Sequence, residues 1–107
     1  MLLKTKHDKI MKIEKSKARN KKYTAFVYNI NSKRTRKIHF GDTRYQQYKD
    51  TTPLKYYSYK NHFEKKRKSN YFNRHSGTKS KREAIRKELI KSNYKLTPKI
   101  LSHQYLW

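Results

Sequence analysis

Cysteine is absent from this sequence. That excludes a disulfide framework, thiolate-ligated zinc and a cysteine nucleophile, and it fits a reducing compartment. Glycine occurs only twice, at Gly41 and Gly77, so no glycine-rich phosphate loop can be assembled. No apolar run approaches the roughly 18–20 residues of a membrane-spanning helix. Met1-Leu2-Leu3 gives way to Lys4 and Lys6 before an apolar stretch of signal-peptide length develops. The expectation is a soluble intracellular or particle-borne protein with no membrane partner. Acidic residues are also scarce: seven Asp and Glu stand against 30 Lys and Arg, a formal net charge of +23 over 107 residues. Self-repulsion on that scale opposes compaction, and at 33% hydrophobic residues the core must draw on aromatics, with ten Tyr, four Phe and one Trp.

The cations ask for a polyanion. Lysine outnumbers arginine by 22 to 8, a ratio that AT-rich codons favour, but codon bias does not explain the shortage of acids. Lysine dominance points to contact with a phosphate backbone rather than reading of bases, because bidentate guanine recognition is mainly an arginine task.

Along the chain, residues 1–22 carry nine Lys and Arg with Asp8 and Glu14 as the only acids. Leu3, Ile10, Met11 and Ile13 are too sparse for an apolar stripe, so 1–21 reads as a flexible basic arm. Residues 22–107 read as one small α+β domain. Tyr23-Thr24-Ala25-Phe26-Val27-Tyr28 favours a strand, Asn29-Ile30-Asn31-Ser32 a turn, and Arg34 to Phe40 a second strand with Arg36, Ile38 and Phe40 on one face; together they predict a β-hairpin ended by Gly41-Asp42. Asp42 or Thr43 is positioned to cap a helical turn through Gln47. After the break at Asp50-Thr51-Thr52-Pro53, a helix is predicted from Leu54 or Ser58 to His75, with Tyr56, Tyr59, Phe63 and Tyr71 near one stripe, the first three of them read as core, and Gly77 as its stop. Ser80 with Glu83 forms a capping box for a helix to about Asn93. Thr97-Pro98 starts another, and Ile100, Leu101, Tyr105 and Trp107 imply that this last segment is docked. The sketch is a hairpin followed by two to three packed helices.

Three constellations carry candidate chemistry. Lys60, Lys65, Lys66, Arg67, Lys68, Arg74 and His75 are interleaved with aromatics, the pattern expected where cations meet phosphates and rings stack on unpaired bases. Lys33, Arg34, Arg36 and Lys37 sit at the hairpin loop and second strand, where a basic β-ribbon, a nuclear-import signal and an edge strand charged against aggregation are equally open readings. His39, Asp42, His62, Glu64 and His75 are the groups considered for the metal or general-base site of a nuclease, with His62-Phe63-Glu64 and Asn73-Arg74-His75 the only pairings worth naming. No H-x-x-x-H spacing accompanies them, so neither catalysis nor a metal or other cofactor is expected; two or more of them converging in one pocket would argue otherwise.

Ile38-His39-Phe40-Gly41-Asp42, the Tyr45, Tyr48, Lys49, Asp50 spacing, the basic stretch from Lys60 to Arg74-His75, and Leu101-Ser102-His103-Gln104-Tyr105-Leu106-Trp107 together resemble an uncharacterised family of small basic proteins encoded by large nucleocytoplasmic DNA viruses of the mimivirus and algal-virus kind. The resemblance spans residues 22–107 and brings no established activity with it. It implies a viral product located in the viral factory or nucleus of an infected cell and in the virion. His39, Gly41, Tyr45, Tyr48, Arg74, His75 and Trp107 match the pattern; the higher lysine content and longer basic arm depart from it. Taken with the charge, the leading expectation is a non-enzymatic nucleic-acid-binding protein that neutralises a DNA genome with low sequence specificity, DNA being favoured over RNA. The alternatives are a minor capsid or internal virion protein whose basic surface meets other virion proteins, and an RNA-binding part of a viral transcription or translation assembly.

Overall fold

A computed structural model describes residues 3–107. Its centre is a three-stranded antiparallel sheet in the order β1-β2-β3, with β1 at Asp8–Lys15, β2 at Lys21–Asn29 and β3 at Arg34–Asp42. β2 and β3 pair from Lys21↔Asp42 to Asn29↔Arg34. Their turn is closed by Asn29, whose carbonyl accepts from the Lys33 N–H at 2.8 Å and whose side-chain oxygen accepts from the Ser32 N–H at 2.8 Å.

β1 places Asp8–Lys15, part of the segment 1–21 read as a flexible arm, in the sheet; residues 1 and 2 of that segment lie outside the described residues. Ile10 lies opposite Val27, Lys12 opposite Phe26 and Ile13 opposite Ala25, so Met11 is an extra residue bulged out of the ladder. The bulge turns both Ile10 and Ile13, three apart in sequence, onto the same buried face. A strict period of two would have put them on opposite faces, which is why the alternation is invisible in the sequence.

The inward face of the sheet packs Ile10, Ile13, Tyr23, Ala25, Val27, Ile38 and Phe40 against Tyr57, Leu96, Ile100, Leu101, Tyr105 and Leu106. The opposite face leaves Lys9, Lys12, Thr35, Lys37 and His39 exposed, with the ammonium groups of Lys12 and Lys37 4.6 and 5.6 Å from the centre of the Phe26 ring.

The three helices are α1 at Lys65–Ser76, α2 at Lys81–Lys91 and α3 at Pro98–Tyr105. Ser80 and Thr97 cap α2 and α3, their side-chain oxygens accepting from the N–H groups of Glu83 and Ile100 at 3.3 and 3.2 Å. The capping box at Ser80 is half made, because the Glu83 carboxylate turns to Arg86 at 2.8 Å instead of back to the Ser80 N–H. Tyr71, Phe72 and Ala84 form a smaller cluster between α1 and α2, and Trp107 packs against both clusters.

The expected long helix from Leu54 or Ser58 does not form. Residues 43–64 are mostly irregular, with one 3-10 turn at Ser58–Lys60, and α1 begins only at Lys65. The segment is tied down by side chains. Asp50, buried, accepts from the Tyr23 hydroxyl, from the Thr52 N–H and hydroxyl at 3.0 and 2.7 Å, and from the Tyr57 N–H at 3.1 Å. Gln47, also buried, donates to the Tyr57 carbonyl at 2.7 Å and to the Asn61 side chain at 2.6 Å. Tyr57 is therefore the core residue here, while Tyr56, Tyr59 and Phe63, expected inside, are 54%, 76% and 57% exposed. Nor is there a helical turn through Gln47. Asp42 closes a tight turn, accepting from the Arg44 N–H at 2.9 Å, and Gln47 bridges to Asn61.

Glycine scarcity leaves a mark on the backbone. Both glycines sit at positive φ, and six further positive-φ positions are filled by Asn20, Lys33, Lys55, Phe63, Asn93 and Tyr94. Asparagine tolerates this conformation; for the others it costs of order 1–2 kcal/mol apiece. Gly41 is forced by space as well as by φ, since a methyl group there would lie 2.8 Å from Leu106 and 3.1 Å from the Lys22 side chain.

Candidate functional site

The end of β3, the turn after it, one side of α1 and the exposed side of α3 line a groove of about 800 Å³. Phe40, Gly41 and Leu106 contribute its apolar lining; Lys21, Arg44, Arg67, Arg74, Lys99 and His75 contribute cations or protonatable nitrogen, and Asp42 is the one acid. A hydrogen bond from Arg67 to the Gln46 side chain at 2.9 Å ties the turn to α1.

Lys22 anchors one wall from within. Although 1% exposed, its ammonium finds no carboxylate; it donates to the Tyr45 carbonyl at 2.9 Å and to the Gln47 side-chain oxygen. Burial, reinforced by the charge of Lys60, pulls its pKa down to about 8 against the opposing pull of Asp50 and Asp42. By holding the Tyr45 carbonyl, Lys22 fixes the backbone from which the Tyr45 ring, 64% exposed, projects.

The other wall rests on a buried polar chain. Trp107 stacks on Tyr71 with centroids 4.2 Å apart and planes 4° from parallel. The Tyr71 hydroxyl meets His103 Nδ1 at 2.9 Å, His103 Nε2 meets the Ser76 hydroxyl at 2.8 Å, and Ser76 meets Glu88 at 2.9 Å. Proton counting assigns the tautomer. A carboxylate can only accept, so the single Ser76 proton goes to Glu88, Nε2 carries the proton given to Ser76, and Nδ1 accepts from Tyr71. Burial keeps His103 neutral, with a pKa near 4, and pushes the Tyr71 hydroxyl well up. Ser76 is thus a hydrogen-bond acceptor from the imidazole, the reverse of what nucleophile activation requires.

The residues expected to contact a polyanion fall in separate places. Arg67, Arg74 and His75 reach the groove. Lys65 and Lys66 are exposed in the first turn of α1, where the helix dipole disfavours cations. Lys68 lies 4.5 Å over the Tyr48 ring and Lys60 5.8 Å from that of Tyr59. Lys33 and Arg34 are exposed at the β2–β3 turn, and Lys37 is on the open face of the sheet. Arg36 is a correction: it turns inward, donating to buried Asp8 at 3.1 and 2.8 Å and to the Leu96 carbonyl at 3.0 Å, and is a structural residue. Burial alone would raise Asp8, but hydrogen bonds from Arg36, the Leu96 N–H and Asn29 outweigh it and hold this carboxyl below its usual value.

Lys21, Arg44, Tyr45, Lys99 and Trp107 complete the groove and were not singled out from the sequence as a site. The signal available was the doublet Lys21-Lys22 and the cation–aromatic pair Arg44-Tyr45, neither of which says what it faces. Of the five groups considered for a nuclease, Asp42 and His75 both line the groove. Asp42, however, is held by Arg44 at 2.7 Å, and His75 packs on Tyr71 with centroids 4.5 Å apart. His39 lies apart, 2.7 Å from the Thr24 hydroxyl. Among the described residues no group of three His, Asp or Glu side chains is placed to hold a metal ion, and no helix is long and apolar enough to cross a membrane.

A family model described as "Family of unknown function (DUF5754)" matches residues 11–56, less than half of the chain. The match runs from the β1 bulge through β2 and β3 to the irregular segment, and so includes both members of the Lys22–Gln47 and Tyr23–Asp50 contacts. No curated protein and no solved structure matches the chain.

Proposed function

We propose that the chain is a non-enzymatic nucleic-acid-binding protein that works by neutralising phosphates with little sequence specificity, and that its natural ligand is a DNA genome, in keeping with the resemblance to small basic viral proteins. The observation that carries this reading is the imbalance left after folding. Among the described residues only six of the 30 Lys and Arg have a carboxylate within 4 Å. Two of the seven acids, Asp8 and Asp50, are buried, and of these Asp8 is already taken by Arg36. The remaining surface is a field of one sign, in the turns, on the open sheet face and around the groove, which attracts polyanions over several ångströms and releases their counterions on contact.

The experiment is a binding titration over a salt series with random duplex DNA, single-stranded DNA, RNA and an acidic polypeptide. Contact with six to ten phosphates lowers affinity by roughly 10³–10⁵ between 50 and 200 mM salt. A salt slope near zero on every nucleic acid sinks the proposal. A structural role against acidic protein neighbours has separate support in Met11 and Ile30, apolar side chains 53% and 42% exposed; tighter binding to the polypeptide than to any nucleic acid would favour it.

A further inference from the structure

We propose that the groove is a site for a short stretch of single-stranded nucleic acid, its phosphates against Arg74, Lys99 and Lys21 and one base stacked on Tyr45. This rests on the nucleic-acid reading above and narrows it to one place and one strand form.

The cations are available. Among the described residues, Arg74 and Lys21 have neither a carboxylate nor a side-chain hydrogen-bond partner, and Lys99 has only a 3.8 Å approach to Glu88 and a 3.4 Å contact with the His75 carbonyl. Arg44, by contrast, is held by Asp42, and its guanidinium lies 5.7 Å from the centre of the Tyr45 ring.

Tyr45 is exposed yet positioned. Its N–H donates to the Asp42 carbonyl at 3.2 Å and its carbonyl accepts from buried Lys22, so the ring stands on fixed backbone and contributes nothing to the core. An exposed ring held this way binds a base without the entropic cost of ordering a loop. Trp107 and Tyr71, stacked on each other, give the groove a rigid aromatic wall.

The combination selects the ligand. A duplex offers phosphates but keeps its base faces stacked, whereas an unpaired strand presents both to a groove of this kind. An acidic peptide would meet the cations and leave Tyr45 unused.

Trp107 is the only tryptophan, so its fluorescence reports on the groove directly. The full chain is titrated with a short thymidine oligomer, an abasic oligomer of equal length and a matched duplex. The same titrations are run on Tyr45→Ala, on Arg74→Ala/Lys99→Ala, and on Lys9→Ala/Lys37→Ala, which removes equal charge from the open sheet face. Tyr45→Ala is expected to weaken the thymidine oligomer roughly 5- to 100-fold and to leave the abasic strand unchanged. The groove pair should weaken single strands well beyond the sheet-face pair. If Tyr45→Ala is silent and the two charge pairs weaken binding equally, the groove proposal falls while charge-driven binding stands. If no nucleic acid binds and the acidic polypeptide does, both fall.

Discussion

The sheet half and the helical half of this molecule are each closed by buried polar groups, but of different chemistry. Two buried carboxylates make the joints beneath the sheet: Asp8 joins β1 to β3 and to the segment before α3 through Arg36 and the Leu96 N–H, and Asp50 gathers Tyr23, Thr52 and Tyr57. Beneath the helices the buried group is a neutral imidazole, His103, strung between Tyr71 and Ser76. In a chain with seven acids, spending two on the interior of one half sacrifices surface pairing for the joints that hold an overcharged domain together. The imidazole does the equivalent work in the other half without a charge. The two halves should therefore fail at different pH.

The largest effect expected is Asp8→Ala. It leaves Arg36 without its carboxylate and the buried Leu96 N–H without an acceptor, and removing one partner of such a pair costs about 3–5 kcal/mol. Urea unfolding would read this directly, and a loss below about 1 kcal/mol would show that Asp8 is no joint.

Next comes the pH dependence of the helical half. His103 takes up its proton near pH 4 when folded and near 6.5 when unfolded. Between those values the unfolded chain holds more protons, so stability is full above pH 6.5, declines as pH falls, and has lost its whole His103 contribution, roughly 3 kcal/mol, below pH 4. His62 and His75 are also pushed down by burial and act in the same direction, so the measurement is the difference between the wild type and His103→Gln across that window. Equal slopes would refute the assignment. The Asp8 carboxyl, held below its usual value by the hydrogen bonds from Arg36, Leu96 and Asn29 against the opposing effect of burial, acts at the acid side instead: its contribution is present where an ordinary carboxyl is ionised and is lost as pH falls through the lowered value.

The two glycines come last, and the smallest effect of all is expected at Gly77. Gly41→Ala, in the sheet half, meets Leu106 at 2.8 Å as well as the unfavourable φ, and should cost about 2–4 kcal/mol. Gly77→Ala, in the helical half, finds its nearest contact at 3.7 Å, the Lys87 ammonium, and should cost about 1 kcal/mol from φ alone. Thermal unfolding of the pair ranks them, and equal losses would mean that space at Gly41 is immaterial.

The parts of the fold that were legible are those settled within a few residues. Ser80 and Thr97 cap their helices because each oxygen reaches an N–H three residues on. Tyr23 to Tyr28 is a strand because its residues suit a half-buried pleat. Arg67, Arg74 and His75 were legible as basic residues beside aromatics, but their grouping with Lys21 and Tyr45 depends on how α1 sits against β3. The helix expected through Tyr59 and Phe63 failed because Asp50, Gln47 and Asn61 compete for the backbone, and Phe63 is driven to positive φ.

By itself the sequence determined the charge, the absence of thiol and phosphate-loop chemistry, the two capped helices and the pairing-prone stretches on either side of the Asn29 turn. These follow from composition and from contacts that a short peptide already contains. Only the tertiary structure decided that β1 is a bulged strand, that Arg36 is paired to buried Asp8, and that Lys21, Tyr45, Arg74 and Lys99 share one groove. Those outcomes depend on partners dozens of residues away, and no local pattern encodes which distant surface a side chain will meet.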